Sequence, residues 1–244
     1  MFDQIFFDDC KYIINNTRLS KIENKKILFL GGNSFFSLYL QSVLSLKNCQ
    51  ITSISLNKPK GYLNKLILRK KIKFYKFDLN NEKKLKSVLH KKFDYIFHCA
   101  TYGQPKKWGD NFFDTINLNT KVLKIVLDQS VKNNSRVIYF SSAAVYKTSK
   151  KKIRNNEDSE LNLGNFLNEN FYSLSKILGE NICKHYKKEY KLPVYIVRPG
   201  HTYGPGQDYR IDFRVLPQLI KRALNKKKVY IYDKGKSVRS WTYV

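Results

Sequence analysis

The stretch Lys26-Ile27-Leu28-Phe29-Leu30-Gly31-Gly32-Asn33-Ser34 decides the fold, because it joins a short apolar run to two glycines. Residues 35–46 follow it with the pattern of a helix. The apolar run predicts a buried strand, and the glycine pair predicts a tight turn into the helix. Together they predict the first strand–turn–helix unit of an α/β fold.

The alternation of strands and helices continues after this unit. Further strands are predicted at 50–56, 72–77, 95–100, 136–140, 194–198 and 229–232, and helices at 62–71, 82–90, 112–132, from 172 and at 214–225. Strands that alternate with helices predict βαβ units, and therefore a doubly wound parallel sheet. Residues 1–24 precede the sheet, and we expect this lead-in segment to form a short helix that packs on the domain.

The length of 244 residues fits one sizeable α/β core, or one domain with part of a second. Neither a C-x-x-C motif nor a cysteine–histidine pair at metal-ligand spacing is found among the four cysteines, which are Cys10, Cys49, Cys99 and Cys183. This usage predicts reduced thiols, a cytoplasmic location and no metal site. The acidic N-terminus predicts no secretory signal. No apolar run approaches the length of a membrane span, about 18 residues.

The formal net charge of +27 is extreme and raises the question of nucleic-acid binding. The lysines are dispersed along the whole chain, however, and no nucleic-acid-binding motif accompanies them. Lysine, asparagine and isoleucine are abundant together, which is typical of AT-rich codon usage. We therefore expect nucleic acid to be an unlikely partner. The same positive field would also attract an anionic substrate such as a sugar diphosphate.

The first turn has the position at which a dinucleotide-binding fold brings backbone amides to a pyrophosphate. Gly31 fits this role, whereas Ser34 and Ser37 occupy the second and third glycine positions of the G-x-x-G-x-x-G variant. Ser34 is expected to crowd the phosphates, and a plain strand–turn–helix is the alternative. The second strand ends without a carboxylate; Asn57 can bond a ribose hydroxyl and Lys58 a 2′-phosphate, so NAD and NADP both stay open.

A candidate base lies in Phe171-Tyr172-Ser173-Leu174-Ser175-Lys176. In a helix Tyr172 and Lys176 share one face, and the ammonium is expected to lower the pKa of the phenol so that it can accept a proton. Spacing alone does not identify this pair, because Tyr-x-x-x-Lys also begins at four other tyrosines, Tyr102, Tyr146, Tyr230 and Tyr232. Ser142 follows the predicted strand 136–140, where it is expected to reach the same substrate oxygen.

The order of motifs resembles the extended short-chain dehydrogenases/reductases, and within them the NAD-dependent epimerase/dehydratase branch that acts on nucleotide sugars. The resemblance runs from about residue 26 to 244 and selects Tyr172 among the five matches. Its motifs are Gly31, Asp78-Leu79, His98-Cys99-Ala100, Asn117, Ser141-Ser142-Ala143-Ala144-Val145-Tyr146, Tyr172-Ser-Leu-Ser-Lys176, Arg198-Pro199, Tyr203-Gly-Pro-Gly-Gln207 and Gly235-Lys-Ser-Val-Arg239-Ser-Trp-Thr-Tyr-Val244.

The resemblance implies a role for each site residue. Tyr172 is the expected base, Lys176 holds the nicotinamide ribose and Ser142 orients the reacting hydroxyl. Cofactor contacts are expected from Tyr172 and Lys176. They are also expected from Gly31, Asn33, Ser34, Phe35, Asn57, Asp78, Leu79, Ala100, Asn117 and Pro199. Substrate contacts are expected from Ser142, His201 and Arg239, with a packed loop histidine as the alternative for His201.

The resemblance also implies a Rossmann-type division into a lead-in segment (1–24), an NAD(P)-binding domain (25–198) and a small, incomplete substrate lobe (199–244), since relatives continue beyond Val244. Ala144 stands where dehydratases and decarboxylases commonly carry an acid, which favours an epimerase, of the 4-epimerase kind, or a ketoreductase. A catalytically silent binding module is a further alternative. Relatives often dimerise through two helices, which here correspond to 112–132 and 172–190.

Overall fold

Six parallel strands form the sheet that the sequence predicts. In the computed structural model, which describes residues 2–147, 155–163, 171–208, 210, 212–231, 235 and 240–244, they are β1 (Lys26–Leu30), β2 (Gln50–Ser55), β3 (Ile72–Lys76), β4 (Tyr95–His98), β5 (Arg136–Phe140) and β6 (Val194–Val197). Their order is β3-β2-β1-β4-β5-β6. The order reverses between β1 and β4, and ligands of doubly wound sheets bind at such a switch point. The predicted fold class is therefore confirmed.

Nine α-helices are found in the described part of the chain. They are α1 (Phe2–Asn16), α2 (Phe35–Ser45), α3 (Gly61–Leu68), α4 (Glu82–Leu89), α5 (Pro105–Asp110), α6 (Phe112–Asn119), α7 (Lys121–Asn133), α8 (Phe171–Glu189) and α9 (Val215–Leu224). The single helix predicted over 112–132 is wrong. Thr120 leaves helical geometry, with φ of −126° and ψ of −77°, and so separates α6 from α7.

Apolar residues on opposite faces of the sheet belong to separate buried clusters. Alternate residues of β1 point to opposite faces, as the period of a strand requires: Leu28 and Leu30 belong to one cluster, and Ile27 and Phe29 to the other. The first cluster includes residues of α4 and α7, and the second includes residues of α2 and α3. Both faces of the sheet are thus covered by helices, which explains the continuous apolar runs of the strands.

The C-terminal region adds a small parallel pair, β7 (His201–Tyr203) and β8 (Trp241–Tyr243), that the sequence did not predict. The strand predicted at 229–232 is wrong over the described residues 229–231, which form no strand and have exposed side chains. Val229, Tyr230 and Ile231 are consecutive residues of the types that favour strands, but no described strand pairs with them. No helix among the described residues is long and apolar enough to cross a membrane.

The N-terminal helix that the sequence predicts is present and packs on α2. Phe6 and Cys10 of α1 form an apolar cluster with Tyr39 of α2. One carboxylate oxygen of Asp9 accepts hydrogen bonds from the hydroxyls of Tyr39, at 3.1 Å, and Tyr243 of β8, at 2.8 Å. Helix α1 thereby connects the two ends of the chain across α2.

Candidate active site

The turn after β1 requires glycine at its first two positions. Gly31 has a φ of +80°, and a Cβ on it would lie 2.6 Å from Cα of Ala100. A Cβ on Gly32 would overlap the hydroxyl oxygen of Ser53. The amides of both glycines donate to the carbonyl of Ile54, at 2.9 and 3.0 Å. The ends of β1, β2 and β4 therefore meet at this turn, and two predicted cofactor contacts, Gly31 and Ala100, lie side by side.

Ser34 caps the N-terminus of α2. Its Oγ accepts a hydrogen bond from the Ser37 amide at 3.2 Å and donates to the Ser37 hydroxyl at 2.8 Å, and that hydroxyl donates to the Gly31 carbonyl at 3.1 Å. Serine is preferred at this position because its oxygen satisfies an otherwise unpaired amide. The amides of Phe35 and Phe36 donate no hydrogen bond to the described residues. These two N–H groups at the N-terminus of α2 are therefore available to bind an anionic group.

Gln41 braces the same turn from within α2 and was not singled out from the sequence. Its side chain is fully buried, and Nε2 donates to the carbonyls of Gly32, at 2.8 Å, and Ser37, at 3.0 Å. Gln41 lies seven residues after Ser34, which is about two helical turns along the same face. A buried polar residue at that spacing from the turn is the signal that could have identified it.

The predicted ribose and adenine contacts follow the carboxyl ends of three strands. Nδ2 of Asn33, after β1, donates to the carbonyl of Asn57, after β2, at 2.5 Å. Asp78 follows β3, and its exposed carboxylate accepts from the backbone amide two residues later at 2.9 Å. Leu79 is buried in the same apolar cluster as Ala100. All of these residues lie along the edge of the sheet where dinucleotides bind in doubly wound folds.

Lys176 occupies a fully buried position on α8. Its Nζ donates to the carbonyl of Phe140, the last residue of β5, at 2.6 Å. The same atom lies 4.9 Å from the ring centroid of Tyr139 and 5.9 Å from that of Tyr172. Burial disfavours the charged form and lowers the pKa of Lys176 to about 7.

The pKa of Tyr172 departs from the sequence prediction. Burial raises it above the ordinary value of a phenol, while the nearby hydroxyls of Ser142 and Thr101 and the charge of Arg214 act in the opposite direction and offset only part of the rise. The expectation that Lys176 lowers this pKa is wrong. The ammonium bonds to a backbone carbonyl instead, and the phenol is only 7% exposed.

Three residues near Tyr172 were missed from the sequence. Thr101 comes directly after the predicted strand 95–100, and this strand-end position was an available signal. Trp108 of α5 stacks on the Tyr172 ring, with 4.2 Å between centroids and 4° between planes. Arg214 immediately precedes α9, and its Nε donates to the buried carboxylate of Asp212 at 3.0 Å. No sequence spacing links Trp108 or Arg214 to α8, since only the fold brings them together.

Asn119, which was not singled out from the sequence, joins the elements around the site. Asn119 is fully buried; its Nδ2 donates to the carbonyl of Thr115 and to the hydroxyl of Ser175, both at 3.0 Å. Its Oδ1 accepts from the Tyr139 hydroxyl at 3.3 Å. Asn117 is partly buried, and its described contact is a backbone one, to the amide of Thr120. Asn119 therefore ties α6 to β5 and α8.

A buried charged pair fixes α8 against the end of β5. Oε1 of Glu180 accepts from the Ser141 hydroxyl at 2.6 Å and from Nε of Arg198 at 2.8 Å. Burial acts to raise the pKa of Glu180, but the hydrogen bonds from Arg198 and Ser141 outweigh it and the pKa is lowered. The carbonyl of Pro199 accepts from the amide of Ala143 at 2.9 Å. These bonds hold the turn that carries Ser142, whose Oγ accepts from the amide two residues later at 3.1 Å.

The predicted substrate contacts are only partly described. His201 begins β7, and its exposed ring lies 5.2 Å from that of Trp241 on β8. Arg239 lies outside the described residues. Within the described ranges, no group of three or more histidine, cysteine, aspartate or glutamate side chains is arranged to hold a metal ion.

Comparison with known proteins extends these observations to nearly the whole chain. Residues 27–244 match the model of the NAD dependent epimerase/dehydratase family. A dTDP-D-glucose 4,6-dehydratase of Dictyostelium discoideum is 30% identical over 238 residues, which cover 90% of this chain and 53% of that protein. The chain thus spans about half the length of this relative. Helix α1 lies outside the matched residues.

Two solved structures are similar over most of the chain. UDP-glucuronic acid 4-epimerase from Bacillus cereus, in complex with UDP-glucuronic acid and NAD, is 26% identical with a TM-score of 0.72, covering 89% of this chain and 69% of that one. dTDP-glucose 4,6-dehydratase from Bacillus anthracis str. Ames, in complex with NAD, is 25% identical with a TM-score of 0.73, covering 90% and 67%. The predicted resemblance is confirmed: the chain belongs to the NAD-dependent epimerase/dehydratase family.

Proposed function

We propose that this chain carries the active site of an NAD-dependent nucleotide-sugar epimerase that acts at the 4-position of the sugar. The observation that carries the proposal is the grouping of Tyr172, Ser142 and the buried Lys176 at the carboxyl edge of the sheet. A tyrosine close to a serine hydroxyl can, in its phenolate form, remove a proton from a sugar hydroxyl that the serine holds. We also propose residues 25–198 as the cofactor domain and 199–244 as part of a substrate lobe, with 1–24 as a lead-in.

The residues along the sheet edge fit a dinucleotide. The free amides of Phe35 and Phe36 suit a pyrophosphate, since helix N-termini attract anions. Nζ of Lys176 makes one hydrogen bond to the described residues, although an ammonium has three protons, so further protons can reach ribose hydroxyls. Asn57 can bond the other ribose, and the exposed Lys58 keeps NADP as an alternative.

Further cofactor contacts are proposed for residues that lie near this edge or flank Ser142. They are Gly31, Asn33, Ser34, Asp78, Leu79, Ala100, Asn117 and Pro199. When bound, NAD supplies the hydride acceptor that oxidises the ring carbon and the hydride that reduces it again.

Tyr172 accepts the proton of the sugar hydroxyl in this proposal, and Ser142 holds the oxygen from which it leaves. Burial raises the pKa of Tyr172, so the phenolate depends on hydrogen bonds and positive charge nearby. The hydroxyls of Ser142 and Thr101 and the charge of Arg214 all act to lower this pKa. In the second half of the reaction Tyr172 returns the proton to the reduced oxygen.

Ala144 favours epimerisation or ketone reduction over dehydration. It lies in the turn that follows Ser142, and its amide donates to the Ser142 hydroxyl at 3.1 Å. Elimination of water from a sugar requires a further acid and base, and an alanine supplies neither. A ketoreductase or dehydratase of the same family and a silent binding module remain the competing proposals.

For the substrate we propose a nucleotide sugar held by Ser142, His201 and Arg239. A homodimer through residues 112–132 and 172–190 is supported by exposed apolar side chains on these helices. Phe113 on α6 is 76% exposed, and Leu178 on α8 is 51% exposed. Such side chains are commonly covered by a partner when they form a continuous patch.

The first test combines cofactor binding with turnover. Calorimetric titration should give micromolar affinity for NAD, and a panel of nucleotide sugars should then reveal one that is epimerised. Tyr172→Phe should lower kcat by at least a hundredfold while NAD affinity stays within about threefold, since a general base contributes about 10²–10⁴ in rate. Tyr230→Phe is the matched control, because Tyr230 has the same spacing to a lysine and is exposed. Equal turnover by wild type and Tyr172→Phe would sink the proposal, and NAD binding without any turnover would favour the binding module.

A further inference from the structure

Trp108 covers one face of the proposed base. Its indole is almost parallel to the Tyr172 ring, with 4.2 Å between ring centroids and 4° between planes. Tyr172 is 7% exposed although its hydroxyl belongs to a site that a substrate must reach. Parallel stacking at this distance restrains rotation of the phenol and covers its face, while the hydroxyl at the ring edge stays free to bond.

A single segment after β4 approaches Tyr172 at two points. Thr101 at its start acts to lower the pKa of the Tyr172 hydroxyl, and Trp108 on α5 stacks on the ring. The indole nitrogen of Trp108 donates to the carbonyl of Tyr102 at 2.6 Å, which joins the two parts of the segment. Pro105 begins α5, and its fixed φ suits the first position of a helix. The indole is therefore held in place by its own segment as well as by the stacking.

We propose that Trp108 is a positioning residue for Tyr172: the stacked indole fixes the plane of the phenol and keeps water from its face, so that the hydroxyl meets the sugar hydroxyl in one orientation. The inference rests on the proposed function only in assigning proton transfer to Tyr172. Other charged or titratable groups facing the phenol are Lys176 and Tyr139 from the core side and Arg214 from the start of α9. Lys176 also lies over the Tyr172 ring, with its Nζ 5.9 Å from the centroid, and the stacked indole, at 4.2 Å, is the nearer of the two.

The direct test needs neither cofactor nor substrate. The chain is labelled with ¹³C on its tyrosine rings, and the Tyr172 signal is assigned by its loss in Tyr172→Phe. We expect Trp108→Leu to remove the ring-current shift of this signal and to lower the pKa of Tyr172, because water then reaches the ring. Trp108→Phe should keep both features in part. A Tyr172 signal and titration that Trp108→Leu leaves unchanged would overturn the proposal.

Kinetics supply the second readout once a substrate is known. We expect Trp108→Leu to lower kcat by about tenfold or more with KM and NAD affinity nearly unchanged, since a misplacement of about 1 Å can cost on the order of a hundredfold. Trp108→Phe should recover most of the loss. Tyr195→Leu is the aromatic control, because Tyr195 lies exposed on β6. A rise in KM at unchanged kcat would instead make Trp108 a substrate contact. If no nucleotide sugar is turned over, the proposed function fails, but the spectroscopic test still decides whether Trp108 positions Tyr172.

Discussion

At the scale of single residues, Ser34 stands where the dinucleotide-binding motif has glycine, and the structure shows how a serine fits there. A side chain in a phosphate-binding turn is expected to crowd the ligand, yet its hydroxyl is engaged with Ser37 inside the first helical turn. We therefore expect Ser34→Gly to leave NAD affinity within about threefold. Ser34→Ala should lower the free energy of unfolding by about 1 kcal/mol through loss of the cap.

Titration calorimetry and urea unfolding measure these two effects separately. Gly31→Ala is the informative contrast at the same turn, because its Cβ would lie 2.6 Å from Ala100 at a φ of +80°. A Ser34→Gly variant that binds NAD much more tightly than wild type would show that the hydroxyl does obstruct the phosphates.

Site residues that belong to a sequence motif could be predicted from the sequence. Site residues that only the fold brings near Tyr172 could not. Gly31 was identified because a strand-to-helix turn leaves little room for a Cβ, and that demand is visible in the sequence. Trp108 and Arg214 are 64 and 42 residues from Tyr172, and no periodicity relates them to it. The pKa of Tyr172 was predicted in the wrong direction because spacing reveals a neighbouring lysine but not the extent of burial.

At the scale of elements, period and composition predicted most strands and helices, and the errors have local causes. Residues 112–132 have one continuous apolar pattern, so the break at Thr120 was hidden from a reading based on period. Strand β8 was missed because a three-residue strand is too short to show alternation. The segment 229–231 has the β-branched and aromatic composition of a strand but no described partner, and a strand forms only when it pairs.

Helix α1 is an element whose importance can be measured through Asp9. Its carboxylate accepts from Tyr39 on α2 and Tyr243 on β8. Asp9→Ala leaves two phenol donors without their acceptor, and we expect the free energy of unfolding to fall by about 1–3 kcal/mol. Asp8→Ala is the control, because Asp8 bonds only to Gln4 of the same helix among the described residues and should change stability by less than about 0.5 kcal/mol.

Urea unfolding of the two variants measures the difference. The loss of stability in the double variant Asp9→Ala/Tyr243→Phe is compared with the sum of the losses in the two single variants. A double loss smaller than this sum would show that Asp9 stabilises the fold through Tyr243 of β8, because residues in contact give non-additive losses. Equal stabilities of the Asp8 and Asp9 variants would mean that α1 does not link the chain ends energetically.

At the scale of the whole molecule, the buried ionisable groups predict how stability depends on pH. Burial raises the pKa of Cys99 and Cys183 to about 12, whereas a thiol in the unfolded chain titrates near 8.5. Above that value the unfolded chain has released these protons and the folded chain still holds them, so the free energy of unfolding falls as pH rises. Each such thiol contributes about 1.4 kcal/mol per pH unit.

Lys176 acts in the opposite direction over part of the same range. Burial lowers its pKa to about 7, so between pH 7 and about 10.4 the unfolded chain binds one proton more and stability rises with pH. We therefore expect the free energy of unfolding to increase gently from pH 7 to 8.5 and to decrease from pH 9 to 10.5. In the upper range two thiols outweigh one lysine, and the net slope is at least about 1.4 kcal/mol per pH unit, with Cys10 adding to it.

Urea unfolding across this range, under reducing conditions, tests the balance of these groups. Cys183→Ala should reduce the fall in stability between pH 9 and 10.5, because one buried thiol is lost. Since Cys183 also acts to raise the pKa of Lys176, the rise in stability due to Lys176 should begin at a slightly lower pH in this variant. Cys49→Ala is a weaker perturbation for comparison, since its thiol has a smaller rise in pKa and bonds to the carbonyl of Ile22. If stability kept rising through pH 10, the thiols would have to be ionised in the folded chain, and the tight packing of α8 against β5 around Cys183 would be contradicted.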